Sequence, residues 1–385
     1  MKVDMVLLYD IIIILFIGLL MVLSSLGGFI MFSDNFIDGS IMFIKQIVIA
    51  IIGLLIMIGL SKVDYSYFKK YSKIFYIISV LLLILVLIVG KGKGVRRWLI
   101  LGPMSFQPSE LAKYSLVIFL AAIYDSKKDM IDKLQVRLLY FYLPIAITIG
   151  LIILEPNFGT TFVIGFISIT ILFIMGFDVR ELGIIVLLTM IVLSIGIMMK
   201  PYARMRIMGF FNSKGTNIPT AQSQYSLFAI GSGKLFGLGL GNGMTKLFFL
   251  PRAYTDFIFS VIGEELGFIG SIVLVVAYLV MIIRGMKIAR RATDYFCCYA
   301  SYGIVIIISY YIIFNILVAL KLFPITGLPL PLVSVGGSSL IITLIAMGIL
   351  LSISRNNNGV NLNENSFDSI RRNRRSYISW NPLGK

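Results

Sequence analysis

The chain has 385 residues, of which 58% are hydrophobic and only 14% charged, with a formal net charge of +16 and a mean hydropathy of +0.97. Soluble domains carry about 25% charged residues, so this composition excludes a water-soluble globule. The sequence contains no histidine, which removes the commonest metal ligand and general base and leaves any catalysis to carboxylates, Lys, Tyr or Ser.

Apolar runs fall near residues 7–30, 41–60, 74–90, 111–124, 138–154, 158–176, 181–199, 257–283, 297–320 and 333–354. Most reach the roughly 18–25 residues that cross a hydrocarbon core of about 30 Å. The pattern predicts an all-α polytopic membrane domain of ten transmembrane helices over residues 1–355, with a large extracytoplasmic loop, 200–256, between helices seven and eight. The first run is too long for a signal-peptide core and reads as a retained helix. The fourth is short and begins amphipathic, and the fifth and sixth are separated only by Glu155-Pro156-Asn157. No inverted repeat of the transporter kind is visible. Cys297 and Cys298 are adjacent, poor geometry for a mutual disulfide, and read as apolar filler.

Lysine and arginine set the orientation. With a cytoplasmic N-terminus, the inner segments hold Lys62, Lys69, Lys70, Lys73, Lys127, Lys128, Lys133, Arg137, Arg284, Lys287, Arg290 and Arg291, whereas the opposite loops at 31–40, 155–157 and 322–332 hold none. This positive-inside pattern predicts that both termini are cytoplasmic. Two outer segments, 91–97 and 200–256, are basic nonetheless. Long loops cross regardless of charge, but the short first one implies an anionic group to be met there, a ligand or lipid head groups. Residues 356–385, rich in Asn, Ser and Arg, lack the apolar content to fold and are expected to form a disordered basic cytoplasmic tail.

Charge inside the spans is scarce, and the polar residues crowd the outer helix ends in three constellations. In the first, Arg96, Arg97 and Trp98 lead to Pro108-Ser109-Glu110 and Lys113. Trp98 suits the membrane interface, and Pro108 with Glu110 reads as a helix start. Glu110 is then either a capping charge or part of an ion pair with Lys113 and the arginines that shapes an anion site. In the second, Thr255 and Asp256 enter an apolar helix carrying Glu264 and Glu265. Thr255 and Asp256 have capping as their bland reading. Glu264, on the order of 12 Å deeper than Asp256, must be paired, protonated or facing a wet cavity. Gly263 and Gly267 offer a flat face for close helix contact. The third, Pro324 to Pro331 followed by Ser334, Ser338 and Ser339, breaks regular helix before the last span. It is either a plain re-entrant turn or a set of hydroxyls and N–H groups for phosphate.

At these places the sequence resembles the SEDS family (shape, elongation, division and sporulation), the FtsW/RodA/SpoVE group. The likeness runs from the first helix to Arg355 through GVRRWLILGPMSFQPSELAK, EPNFGTT, SLFAIGSGKLFGLGLGN, TDFIFSVIGEELG and TGLPLPLVSVGGSS. Glu155-Pro156 and Gly-Glu-Glu-Leu-Gly look more like the division branch than the elongation branch. The resemblance implies a peptidoglycan glycosyltransferase that polymerises lipid II (undecaprenyl-pyrophosphate-linked disaccharide pentapeptide) on the outer face of the bacterial cytoplasmic membrane. It implies a class B penicillin-binding protein as partner, among other divisome or elongasome membrane proteins, and no nucleic acid. The family's essential aspartate falls on Asp256, the expected general base. Arg96, Arg97, Trp98, Glu110, Lys113, Ser334, Ser338 and Ser339 are the expected substrate-binding residues, supported by Thr255, Glu264 and Glu265. No cofactor is required by the sequence, although a divalent cation, Mg or Mn, fits on the pyrophosphate without a protein cage.

This chain departs from the family where members commonly read Pro-Glu-Ala-His-Thr-Asp and it has Pro251-Arg252-Ala253-Tyr254-Thr255-Asp256. It also departs at Asn157, at Val335 and in Ala221-Gln222-Ser223-Gln224-Tyr225-Ser226, so roles tied to those positions do not transfer. The competing expectations are a lipid II flippase and a non-catalytic scaffold for the crosslinking partner.

Overall fold

A computed structural model describes residues 3–32, 36–90, 96–102, 104–199, 201–211, 218–250 and 253–356. In chain order the elements are α1 (Met5–Phe32), α2 (Phe36–Lys62), α3 (Tyr65–Val89), the antiparallel hairpin β1 (Leu99–Leu101) and β2 (Met104–Phe106), and α4 (Pro108–Lys127). A broken helix follows, made of α5 (Leu134–Arg137), a π-helical turn (Leu138–Tyr142) and α6 (Leu143–Leu154), then α7 (Phe158–Ile174) and α8 (Val179–Met199). Four further helices, α9 (Pro201–Phe211), α10 (Ile218–Ser232), α11 (Thr245–Phe248) and α12 (Ala253–Asp256), precede α13 (Ile258–Arg290), α14 (Tyr295–Ala319) and α15 (Gly337–Asn356).

Eight segments are long and apolar enough to cross a membrane, among the described residues. The 17-residue α7 is apolar but short, and α4 fails on composition because it carries Glu110, Lys113, Asp125 and Lys127. The reason α4 tolerates that charge is its place: nearly every residue from Pro108 to Ala122 is buried, between α3 and α14. A helix shielded from lipid on all sides need not be apolar outside. With these two the expected ten segments are present. Chain starts are set locally: Asp64 accepts from Ser66 N at 2.8 Å to cap α3, Asp294 accepts from Cys297 N at 2.7 Å to cap α14, and Pro108 opens α4 as its sequence predicts.

The stretch 200–256, expected as a loop, is largely helical where described. Its main piece, α10, buries Ser223, Ser226 and Ala229, one face at a three-residue interval. The Ser226 hydroxyl donates to the Ala319 carbonyl at 2.7 Å and lies 2.6 Å from the Ser260 hydroxyl. Small polar residues make this packing face, so the segment carries no apolar signal.

Gly263 does allow close contact, since a Cβ there would lie 3.0 Å from Ile230 of α10. Gly267 corrects the flat-face reading. It has φ +68 and interrupts α13, and the chain at 234–239 fills the break. Phe268 N and Ile269 N donate to Lys234 O and Leu235 O at 2.9 and 3.1 Å, while Leu238 N and Gly239 N donate to Glu264 O and Glu265 O at 3.0 Å each. The break is thus hydrogen-bonded on both sides, as backbone at a helix interruption requires.

Residues 320–336 enter the bundle without regular structure, with Leu330, Leu332 and Val333 fully covered. They pass so near α1 that a Cβ at Gly18 would sit 2.7 Å from Leu332 O. The irregular backbone is therefore buried in protein, the condition stated for it in sequence. The expected tail, 357–385, lies outside the described residues.

Gly267→Ala should destabilise the fold by more than about 1 kcal/mol, because φ is positive and the added Cβ would lie 2.3 Å from Gly237 N. Gly59→Ala, at an exposed helical position with open space around it, should be neutral or stabilising. Thermal unfolding of the two variants in detergent compares them.

Candidate functional site

Asp256 closes α12 and is half-buried. Its backbone is held from two sides. Asn315 Nδ2 of α14 donates to Asp256 O at 3.1 Å and to Leu328 O at 2.8 Å. The Ser334 hydroxyl donates to Thr255 O at 2.6 Å while accepting from Leu330 N at 2.8 Å, and Val335 N donates to Tyr254 O at 2.9 Å. The Tyr278 hydroxyl of α13 fixes the same loop through Pro331 O at 2.6 Å. The short helix and the irregular loop are thereby one unit.

Arg206 of α9 faces Asp256 across this loop. A Cβ at Gly327, where φ is +74, would lie 3.6 Å from Arg206 Nη1 and 3.7 Å from Asp256 Oδ2. Arg206 Nη1 also donates to Ile325 O at 3.1 Å. A cavity of about 200 Å³ opens beside them, lined by Arg97 and Arg206 and walled largely by apolar side chains such as Phe158, Phe162, Leu193 and Phe323. Sequence reasoning missed Arg206, which sits within a basic stretch, Arg204-Met205-Arg206, with no motif or spacing to single it out.

The other expected site residues are spread over different tasks. Arg96 Nη1 donates to Leu87 O at 2.9 Å at the end of α3. Arg97 Nε donates to Glu155 O at 3.1 Å, and its Nη2 donates to Pro156 O, covering the end of α6 while lining the cavity. Both guanidinium groups satisfy C-terminal carbonyls and sit at the negative ends of helix dipoles. Trp98 is half-buried just before β1.

Glu110 and Lys113 do pair, Nζ to Oε2 at 2.7 Å, but inside the bundle with side chains only 3% and 1% exposed. Tyr311 donates to Glu110 Oε1 at 3.2 Å, and its ring centroid lies 3.6 Å from Lys113 Nζ. The expected joint cluster with the arginines is not what forms: Arg96 and Arg97 reach for the ends of α3 and α6, and Lys113 is enclosed by aromatic rings. Ser338 Oγ accepts from Gln107 N at 3.3 Å, which ties α15 to the start of α4. Ser339 is half-buried in the first turn of α15.

Glu265 is paired, the first of the three options for a carboxylate at that depth, whereas Glu264 is hydrogen-bonded through Oε1 and its Oε2 has no partner among the described residues. Glu264 Oε1 accepts from Met244 N, Thr245 N and Thr245 Oγ1 at 2.9, 3.0 and 2.8 Å, capping α11. Glu265 pairs with Lys246, also buried, and accepts from Ser24 of α1 and from Gly241 N. Glu155 is different. It is fully buried at the turn between α6 and α7, neither carboxyl oxygen has a hydrogen-bond partner among the described residues, and burial raises its pKa to about 8 against the opposing pull of Arg97. Pro251, Arg252 and the basic residues of 91–95 lie outside the described residues.

Fold and site together define a polytopic integral membrane protein with a carboxylate and arginines gathered at one end of the bundle, beside an apolar cavity. The FtsW/RodA/SpoVE cell cycle protein model matches residues 5–359, and the chain belongs to that family. The probable peptidoglycan glycosyltransferase FtsW of Trichlorobacter lovleyi is 36% identical over 361 residues, covering 91% of this chain and 93% of that protein. Stage V sporulation protein E of Bacillus subtilis is 37% identical over 361 residues, covering 91% and 97%. Among solved structures, the Thermus thermophilus rod shape determining protein RodA superposes with a TM-score of 0.69 at 28% identity, over 94% of this chain and 99% of that one. A chain from a structure described as the structural coordination of polymerization and crosslinking by a peptidoglycan synthase complex superposes with a TM-score of 0.77 at 27% identity, over 94% and 100%.

Glu110→Gln, which leaves a buried ammonium unpaired, should cost about 3–5 kcal/mol. Glu110→Gln/Lys113→Met should regain most of that loss, as read by thermal unfolding. A direct phosphate-binding role for Lys113 would appear instead as lost activity at unchanged stability. For Glu155 the folded pKa near 8 stands above the ordinary 4.5, so the folded state keeps a proton that the unfolded chain releases. Its contribution is full below about pH 4.5 and is lost as pH rises toward 8 and through it. Glu155→Gln should flatten that part of the stability–pH profile.

Proposed function

We propose that this chain is a peptidoglycan glycosyltransferase of the cell-division type that polymerises lipid II on the outer face of the bacterial cytoplasmic membrane. Family membership and the relative named as a probable peptidoglycan glycosyltransferase support the activity. The lysine and arginine distribution supports cytoplasmic termini, which puts the Asp256 end of the bundle outside. The observation that carries the reading is the meeting of Asp256 and Arg206 at Gly327, next to the apolar cavity that Arg97 also lines.

In this scheme the Asp256 carboxylate takes the proton from the acceptor sugar's 4-hydroxyl as that oxygen attacks the donor anomeric carbon. The new O4–C1 bond forms while the bond from C1 to the phosphate oxygen breaks, and the pyrophosphate leaves with its electron pair. Arg206 and Arg97 meet the developing charge, Arg being suited to phosphate oxygens by its planar fork. Apolar cavity walls suit the isoprenoid end of such a ligand. Lys113 is reassigned to holding α4 against α14. A magnesium or manganese ion, where one takes part, would be held mainly by the substrate's pyrophosphate oxygens and would add positive charge there. A class B penicillin-binding protein is the expected partner, in keeping with the peptidoglycan synthase complex that the fold resembles.

Asp256→Asn in proteoliposomes, with the partner present, should abolish polymer formed from purified lipid II while leaving folding and partner binding intact. Arg206→Ala should lower polymerisation by about 10²–10³-fold, the usual consequence of removing one donor to developing negative charge. Undiminished polymer from Asp256→Asn would overturn the general-base assignment. Lipid flipping without polymer from the unaltered chain would favour a transporter.

A further inference from the structure

The two ends of α1 and α13 give the molecule an internal depth scale. At one end Arg284 pairs with Asp4 at 2.7 Å, and at the other Ser24 of α1 meets Glu265 and Lys246. Twenty residues separate Asp4 from Ser24, about 30 Å of helix, which is the thickness of a hydrocarbon core. The Ser24–Glu265–Lys246 cluster therefore marks one hydrocarbon boundary, on the Asp256 side.

The segment 234–244 is fixed at that level. Four backbone hydrogen bonds join it to α13 across the Gly267 break, and Gly241 N donates to Glu265 Oε2 at 3.2 Å. Its backbone turns sharply, with positive φ at Lys234, Gly237, Gly239 and Gly241. Its apolar side chains nevertheless point away from protein: Leu235 is 57% exposed, Phe236 79%, Leu240 57% and Met244 61%. They continue the exposed apolar stripe of α13, Phe268, Ile269, Ile272 and Val273, which a membrane span presents to acyl chains.

We propose that the strap 234–244 is a lipid-inserted element: Leu235, Phe236, Leu240 and Met244 enter the outer boundary of the acyl-chain layer, and exposed Lys234 lies among the head groups. The occupant of this apolar surface is the lipid itself, by continuity with the lipid-facing stripe of α13 and by the depth that the Ser24–Glu265 contact fixes. Because Glu264 and Glu265 hold the strap only eight and nine residues from Asp256, its seating sets the height of Asp256 above the acyl chains. Insertion is a property of the folded chain and does not rest on the proposed reaction.

The test uses full-length protein in vesicles of phosphatidylethanolamine and phosphatidylglycerol. In a Cys297→Ala/Cys298→Ala background, Phe236→Cys and Leu240→Cys are spin-labelled one at a time, with Lys133→Cys as an exposed loop control. Gel filtration checks that each variant folds. Labels at 236 and 240 should relax with molecular oxygen and be shielded from a water-soluble nickel chelate, whereas the label at 133 should show the reverse. Chelate access at both 236 and 240 would overturn the proposal. Shielding that arises only when a partner membrane protein is co-reconstituted would overturn it too, and would assign the surface to that partner.

Discussion

The Ser334 hydroxyl is the small contact on which the site depends. It accepts a hydrogen bond from Leu330 N and donates one to Thr255 O, so one side chain closes the irregular loop on itself and fastens it to α12. Irregular backbone within a membrane bundle has no water to pair with, and each unmet N–H or carbonyl carries a cost of several kcal/mol in hydrocarbon. Asn315 and Tyr278 complete the pairing from α14 and α13. The geometry of Asp256 is thus inherited from the loop: Asn315 bonds the carbonyls of Asp256 and Leu328 together, so neither segment can move without the other. A hydroxyl expected to meet phosphate turns out to hold the backbone behind the carboxylate.

The same logic sorts the carboxylates. Glu264 caps α11, Glu265 is enclosed with Lys246 and Ser24, and Glu110 is locked to Lys113 under the Tyr311 ring. Each sits where a lone charge would be prohibitive, and each takes at least one partner from another segment, Tyr311 joining the near neighbour Lys113 at Glu110. Those partners from other segments are why sequence alone left these residues open between structural and functional roles. The partners Lys246 and Ser24 stand 19 and 241 residues from Glu265, with no periodicity linking them.

The spans themselves were legible. Ten apolar runs became ten helical segments because segment length and hydropathy answer directly to bilayer thickness. Even the weak fourth run was real; its charges are tolerated because α3 and α14 surround it. The site was legible in part. The start of α4 at Pro108, the broken helix before the last span and the depth of Glu264 follow from local chemistry. Arg206 does not, because what makes it important is a meeting with Asp256 across a loop whose Ile325 lies 119 residues further on. Likewise α10 packs on serines and alanine, which a hydropathy reading passes over, and the break at Gly267 depends on a stretch of backbone from 234–239 that no local pattern announces.

These placements narrow what the end of the bundle can do. Among the carboxylates discussed there, Glu110, Glu155, Glu264 and Glu265 are each at most 3% exposed, whereas Asp256 is half-buried and stands beside an arginine and a cavity. A proton acceptor for a sugar hydroxyl must reach the substrate's hydroxyl and rest on a rigid support. Glu155 shows the contrary case. Buried at the negative end of α6 without a hydrogen-bond partner among the described residues, it favours its neutral form, while Arg97 beside it donates to the carbonyls of the turn and lines the cavity. Arg97 and Arg206 together put two guanidinium groups on the edge of an otherwise apolar chamber. That combination, charge at the rim and hydrocarbon within, matches a ligand that is itself an anion at the head of a long apolar chain.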